Sequence, residues 1–351
     1  MSRRDPSFGD RARLLYTNLS TLPLTELGFR LQPGAEQLDA ARRAVLGDGA
    51  WHQRAVVRWR VTGETAAAEH TVWLTFVPED GRPRLAGTSD VPSGPVSPQP
   101  VWWTGPVTAA TDGTTTVLVG SGQDAGAWLA RSRTAAAAVR RVVTTAVDHD
   151  WAGGVVVEVP ASRQDFAAVL GVDADTYAQI AAVTHAEGRL ASGAVRVVVN
   201  PEAARSLAPL GLDVVLTHET VHVATRSVDS PAPTWAVEGF ADFVALQAHP
   251  AAGDGVAAPL LRQVREQGPP SSLPDDARFR AGRTDLATSY AEAWLACRYV
   301  ARTSSPADLQ RLYAALDAGR PLSEAAPDAL GTSAGTLVRG WRRSLVRLAG
   351  P

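Results

Sequence analysis

The chain has 351 residues, 45% of them hydrophobic and 20% charged, with 34 basic against 36 acidic residues and a formal net charge of −2. That length suits about two domains, and the balance excludes a disordered chain and gives no basic excess for a nucleic-acid partner. A single cysteine, Cys297, excludes an internal disulfide framework and any multi-cysteine metal centre, and every basic residue is an arginine.

The N-terminus, Met1-Ser2-Arg3-Arg4-Asp5, is polar at once and lacks the apolar core of a secretory signal, as expected either of a cytoplasmic protein or of a chain whose anchor has been removed. Helices are predicted around Phe8–Leu19 and Ala35–Leu46, the second because Leu38, Ala41, Val45 and Leu46 recur at helical spacing. Trp51–Thr62 then alternates, with Ala55, Val57, Trp59 and Val61 on one face and Arg58 and Arg60 on the other. His70–Val77 and Arg84–Thr88 read as further strands, joined by a Glu79-Asp80-Gly81 turn. Helices followed by an antiparallel sheet make a small α+β domain, which resembles the nuclear-transport-factor-2-like cone.

The longest charge-free stretch runs from Val91 to Thr111 and carries Pro92, Pro95, Pro98, Pro100 and Pro106. So many prolines rule out a regular membrane-spanning helix there. The proline-rich stretch is the expected boundary, giving an accessory domain over 1–106 and a second domain over 107–351. In the second, a strand at Thr115–Val119 leads to a long helix at Asp124–Val147 and a strand at Gly154–Val159. A helix at Arg163–Leu170 and strands near Gln179–Thr184 and Val195–Val199 follow, and from Asp213 the pattern is helical. The expected class is α+β throughout, with a mixed sheet and then a mainly helical C-terminal half.

In that helical half stands His218-Glu219-Thr220-Val221-His222. Residues four apart share one helical face, so His218 and His222 aim two imidazoles at one ion. Glu219 lies beside them, within reach of a water on that ion. Two neutral nitrogens and a carboxylate base are the arrangement of zinc hydrolases. The plainer alternative is two exposed histidines and a glutamate on a solvated helix. The next segment, Pro233-Thr234-Trp235-Ala236-Val237-Glu238-Gly239-Phe240-Ala241-Asp242, weighs against it. Fifteen residues separate Glu238 from His222, enough for a helix to end and another to run back. Glu238 is therefore the natural third ligand. Asp242, on the same face, suits the free N–H of a ligating histidine. Asp213–Thr217 is rich in β-branched residues and alone reads as a strand; Asp213 as an N-cap favours helix.

The pattern His218-Glu219-x-x-His222 followed by Trp235-x-x-Glu238-Gly239-x-Ala241 resembles the gluzincin metallopeptidases, among them the peptidase-MA-like domains. The resemblance covers about Thr114 to the C-terminus. It implies a zincin-like domain, one Zn2+ ion, hydrolysis of a peptide or protein substrate, and a sheet edge that aligns the substrate. In similar proteins the position of Val197, Val198, Val199 and Asn200 is that edge, open to strand addition; an internal strand fits the same residues equally well. A tyrosine on a later helix can donate to the developing oxyanion in gluzincins, which makes Tyr290 the candidate; a core aromatic is the alternative. The resemblance also favours an extracytoplasmic setting, with membrane attachment only through a segment outside this chain. A non-catalytic binding or scaffold protein that retains the metallopeptidase shape is the second reading.

His52, His70, His149, His185 and His249 have no partner at metal spacing and are expected to be ordinary core or surface residues. In the final helix Leu337, Trp341, Leu345 and Leu348 are expected to face inward, with Arg339, Arg342, Arg343 and Arg347 outward.

Overall fold

The alternation in β2 (Trp51–Val61) shows why the first segment forms a sheet. Ala55, Val57, Trp59 and Val61 are buried and Arg58 is exposed, so apolar and charged side chains take opposite faces. The computed structural model describes residues 5–88, 97–143, 151–187, 193–280 and 282–350. Pro92, Pro95, His149 and the last residues of the helix expected at Asp124–Val147 lie outside these.

Two compact units divide the chain: Met1–Ala130 with Gly154–Ala204, and Arg131–Gly153 with Arg205–Pro351. The compositional boundary at 106/107 falls inside the first unit, which holds both sheets. Its four-stranded antiparallel sheet comprises β1 (Leu24–Gln37), β2, β3 (Ala68–Glu79) and β4 (Arg82–Gly87), in that order. Asp80 and Gly81 both have positive φ, 51° and 71°, as the tight turn between β3 and β4 requires. Helix α1 (Pro6–Thr21) precedes the sheet, and α2 (Ala40–Leu46) lies between β1 and β2.

The helix expected from Ala35 starts instead at Ala40. Asp39 caps it by accepting the Arg42 N–H, and residues 24–37 take a strand that the sequence pattern did not show. The apolar alternation there is short, Leu27, Phe29 and Leu31, and Pro33 and Gly34 interrupt it, so the run carries a weak strand signal.

The second sheet has the order β5 (Val107–Thr111), β6 (Thr116–Gly120), β7 (Val156–Val159), β9 (Ala194–Val199), β8 (Ala182–Glu187). Strands β6, β7 and β9 run parallel, and β5 and β8 are antiparallel to their neighbours. The edge-strand expectation for Val197, Val198 and Val199 is therefore corrected. β9 lies between β7 and β8, all three valines are buried, and Asn200 just beyond is buried too. Short helices α3 (Val101–Thr104), α5 (Arg163–Leu170) and α6 (Pro201–Arg205) accompany the sheet; Ser162 caps α5 and the left-handed Gly171 ends it.

The two sheets meet at a buried charge cluster. Arg196 of β9, fully buried, donates to Glu64 at 2.7 and 2.9 Å, to Glu158 at 2.9 Å and to Glu187 at 3.3 Å. Its guanidinium lies 3.8 Å from the Trp59 ring centroid, and His70 reaches Glu187 at 2.7 Å. Only such pairing makes a guanidinium tolerable there. His70 and Glu187 are thus partners in this joint.

The second unit is helical. Most of α4 (Ala125–Val143) belongs to it, with α7 (Pro209–Thr225), α8 (Thr234–Ala248), α9 (Gly253–Gln267), α10 (Leu286–Thr303), α11 (Pro306–Asp317), α12 (Leu322–Leu330) and α13 (Ala334–Ala349). Its core centres on Phe240, Leu260, Leu295, Tyr313 and Trp341, and Phe240 stacks on Tyr313. In α13, Leu337, Trp341 and Leu345 are buried as the pattern predicts, but Leu348 is exposed and Ala349 completes the inward row. Two sheets and a helical C-terminal half make the fold α+β. Among the described residues, no helix is long and apolar enough to cross a membrane.

Candidate metal centre

Helix α7 places the first half of the centre. It starts at Pro209, four residues ahead of the N-cap expected at Asp213, because Pro at the first position is already set for a helix. Asp213 sits within the helix and pairs with Arg131. The β-branched content is accommodated by hydrogen bonding. Thr217, Thr220 and Thr225 each donate to the carbonyl four residues back, at 2.8, 2.7 and 2.9 Å.

Helix α8 supplies the second half. It packs on α10 so closely at Gly239 that an added Cβ would lie 2.5 Å from the Ala293 carbonyl oxygen and 2.9 Å from Cys297 Sγ. Only glycine allows that approach, and the neighbouring Glu238 is carried to the α7 histidines.

The structure brings His218, His222 and Glu238 together. The two Nε2 atoms are 2.9 Å apart, and Glu238 Oε2 lies 3.1 Å from His218 Nε2 and 3.4 Å from His222 Nε2. The outer ring nitrogens face other partners: His218 Nδ1 is 2.8 Å from Asp242 Oδ1, and His222 Nδ1 is 2.8 Å from Ser227 Oγ. Asp242 only accepts, so His218 carries its proton on Nδ1 and turns a lone pair inward. With the Ser227 hydroxyl accepting from His222, the second imidazole does the same. Three lone-pair atoms then converge on one point. A cation satisfies all of them, and two imidazoles with one carboxylate are a donor set that fits Zn2+ and leaves one position open.

With a proton instead of a cation between them, the same atoms pair as an imidazolium and a carboxylate. Burial works against a charged His218, but the Asp242 carboxylate and the bonds to Asp242 and Glu238 outweigh it and hold the imidazole well above its ordinary range. Burial likewise opposes ionisation of Glu238, yet the charge of His222 and the hydrogen bonds from both histidines keep its carboxyl well below the usual range. The site is built for opposite charges at close quarters.

Glu219 follows His218 on α7 and is buried. Tyr290 of α10 has its ring centroid 6.2 Å from that of His218. Burial, then the nearby carboxylates Glu238, Asp242 and Glu219, push its hydroxyl well above the ordinary value, so it stays a proton donor.

Three supports were not read from the sequence. Ser227 reaches His222 because Arg226 takes a left-handed conformation, φ 48°, and turns the chain back at the end of α7. Asp276 accepts the backbone N–H of Thr234 at 2.9 Å, capping α8, which itself lacks a side-chain cap. Arg278 donates to the buried Glu292 at 2.6 and 2.9 Å and Phe279 packs edge-on to Tyr290, so this short segment also braces α10. The Asp275-Asp276 pair was the one available signal, since adjacent acids after Pro274 suit a cap. His249, set aside from the sequence, bonds Thr217 at 3.0 Å.

No family model matches the chain, and no curated protein sequence matches it. Among solved structures, the chain is similar to a mutant of the M1 zinc metallopeptidase from Deinococcus radiodurans, with 17% identity and a TM-score of 0.38. The match covers 77% of this chain and 59% of that one, so this chain spans little more than half of that enzyme's length.

Proposed function

We propose that the chain is a zinc-dependent peptidase acting on a peptide or protein substrate. The observation that carries this reading is the convergence of His218 Nε2, His222 Nε2 and Glu238 Oε2, with Glu219 next to the first ligand on the same helix. His218, His222 and Glu238 would hold one Zn2+ ion. When bound, zinc polarises a carbonyl and makes water a better nucleophile at neutral pH.

The chain's own groups then divide the remaining work. Glu219 takes the proton from the attacking water and passes it to the departing amine. The Tyr290 hydroxyl donates to the oxygen on which negative charge develops. Asp242 and Ser227 fix the tautomer and plane of the two imidazoles.

Zinc content and cleavage of a mixed peptide library, measured on wild type and Glu219→Gln, test the reading. We expect one zinc per chain in both, and cleavage lost by about 10²–10⁴-fold in the variant. A wild-type chain that takes up no zinc on reconstitution ends the proposal. Zinc in both with identical peptide patterns leaves the scaffold reading in its place.

A further inference from the structure

Strand β1 is the edge of the first sheet among the described residues, and it is unusually bare for a strand of its length. Leu27, Phe29 and Leu31 are 41%, 46% and 48% exposed. They stand directly opposite Trp59, Val57 and Ala55 of β2, all fully buried, and so lie on the core face of the sheet. The core face thus runs out into solvent along β1 as an apolar row. A long edge with an apolar row and free backbone groups is a template for another strand.

We propose that two copies of this chain associate by antiparallel pairing of their β1 strands about Gly28. The occupant follows from the order of residues along the edge. The run Leu24–Gln32, ended by Pro33 and the positive-φ Gly34, has Gly28 at its midpoint. Pairing about that residue places Glu26 opposite Arg30 and Leu27 opposite Phe29, and the two-fold repeats both pairs. The segment is complementary to itself in charge and in shape of residue. Arg30 has no ion pair in its own chain among the described residues and is exposed, so it is available. At Gly28 an added Cβ would meet nothing within 4 Å, so a side chain can be introduced there without disturbing the chain's own packing.

Sedimentation velocity of the full chain over a wide concentration range tests this. A monomer–dimer equilibrium is expected. Arg30→Glu sets like charges opposite at both Glu26 positions and should raise its midpoint about tenfold. Glu26→Arg should weaken association in the same way, while an equimolar mixture of the two variants pairs opposite charges again and should recover the dimer. Thermal melts of each variant check that the fold is intact, and Arg30→Glu carries the comparison because Glu26 also binds Arg58 within the chain. Gly28→Cys supplies an independent readout. Facing Cα atoms of an antiparallel pair lie about 4.5–5.5 Å apart, within disulfide range, and the native Cys297 is buried. Mild oxidation should therefore yield a covalent dimer. A chain that stays monomeric at its highest soluble concentration overturns the proposal and leaves β1 to a strand of another protein. A dimer unaffected by both Arg30→Glu and Phe29→Glu, or a variant mixture that stays monomeric, overturns it as well.

Discussion

Asp242 Oδ1 lies 2.8 Å from His218 Nδ1, one helix away from the residue it orients. A carboxylate in that place fixes which nitrogen keeps the proton and raises the basicity of the other. Asp242→Ala should weaken zinc binding by about 10–100-fold, read by competition with a chromogenic chelator. An unchanged affinity would show that His218 is oriented without it.

Tyr290 is held between Phe279 and the His218 ring. Tyr290→Phe keeps the ring and removes only the hydroxyl. With zinc content unchanged, kcat should fall by about 10²–10³-fold with little change in KM, the mark of a donor used in the transition state. A variant with wild-type kcat would make Tyr290 a packing residue.

Gly239 sets the spacing of α8 and α10. Gly239→Ala forces a methyl group against backbone and should destabilise the chain by about 1–3 kcal/mol. Chemical denaturation measures this, and zinc affinity should drop with it because Glu238 is the adjacent residue. Stability equal to wild type would mean the two helices part without strain.

The Arg196 cluster predicts how stability depends on pH. Burial, reinforced by the charge of Glu187, pushes Glu158 up to about 8 against the pull of Arg196. A carboxyl raised in the fold stabilises it fully below the ordinary carboxylate value of about 4.3, and loses that contribution as pH climbs through 8. Glu187 moves the other way. Burial opposes its charge, but Arg196 and His70 hold it down to about 2, so its contribution is present above the ordinary value and fades as pH falls toward 2. Unfolding free energy should therefore decline between pH 5 and 8, by at most about 1.4 kcal/mol per pH unit, the limit for one proton. Glu158→Gln should flatten that decline in denaturant titrations run across the range. A wild-type profile already flat there would show that Glu158 stays ionised in the fold.

The contrast between α7 and β9 explains what could be read early. His218 and His222 share a face because a helix repeats locally, and Glu238 and Asp242 share one for the same reason. Ser227 was hidden because its approach to His222 depends on the backbone turn at Arg226, which no side-chain pattern announces. β1 was hidden because its apolar alternation is short, from Leu27 to Leu31, and is cut off by Pro33 and Gly34. Asp276 was hidden because it caps a helix 42 residues away, and Arg278 because its partner Glu292 becomes buried only when α10 packs.

By itself the sequence determined the α+β class, the in/out faces of β2 and the paired imidazoles of α7, all consequences of spacing along one segment. Only tertiary structure decided that β9 is an inner strand, that α8 approaches α10 at Gly239, and that Glu238 reaches both histidines. Those outcomes rest on contacts between segments far apart in the chain, where pairing order and packing distance are properties of the assembled fold rather than of any local pattern.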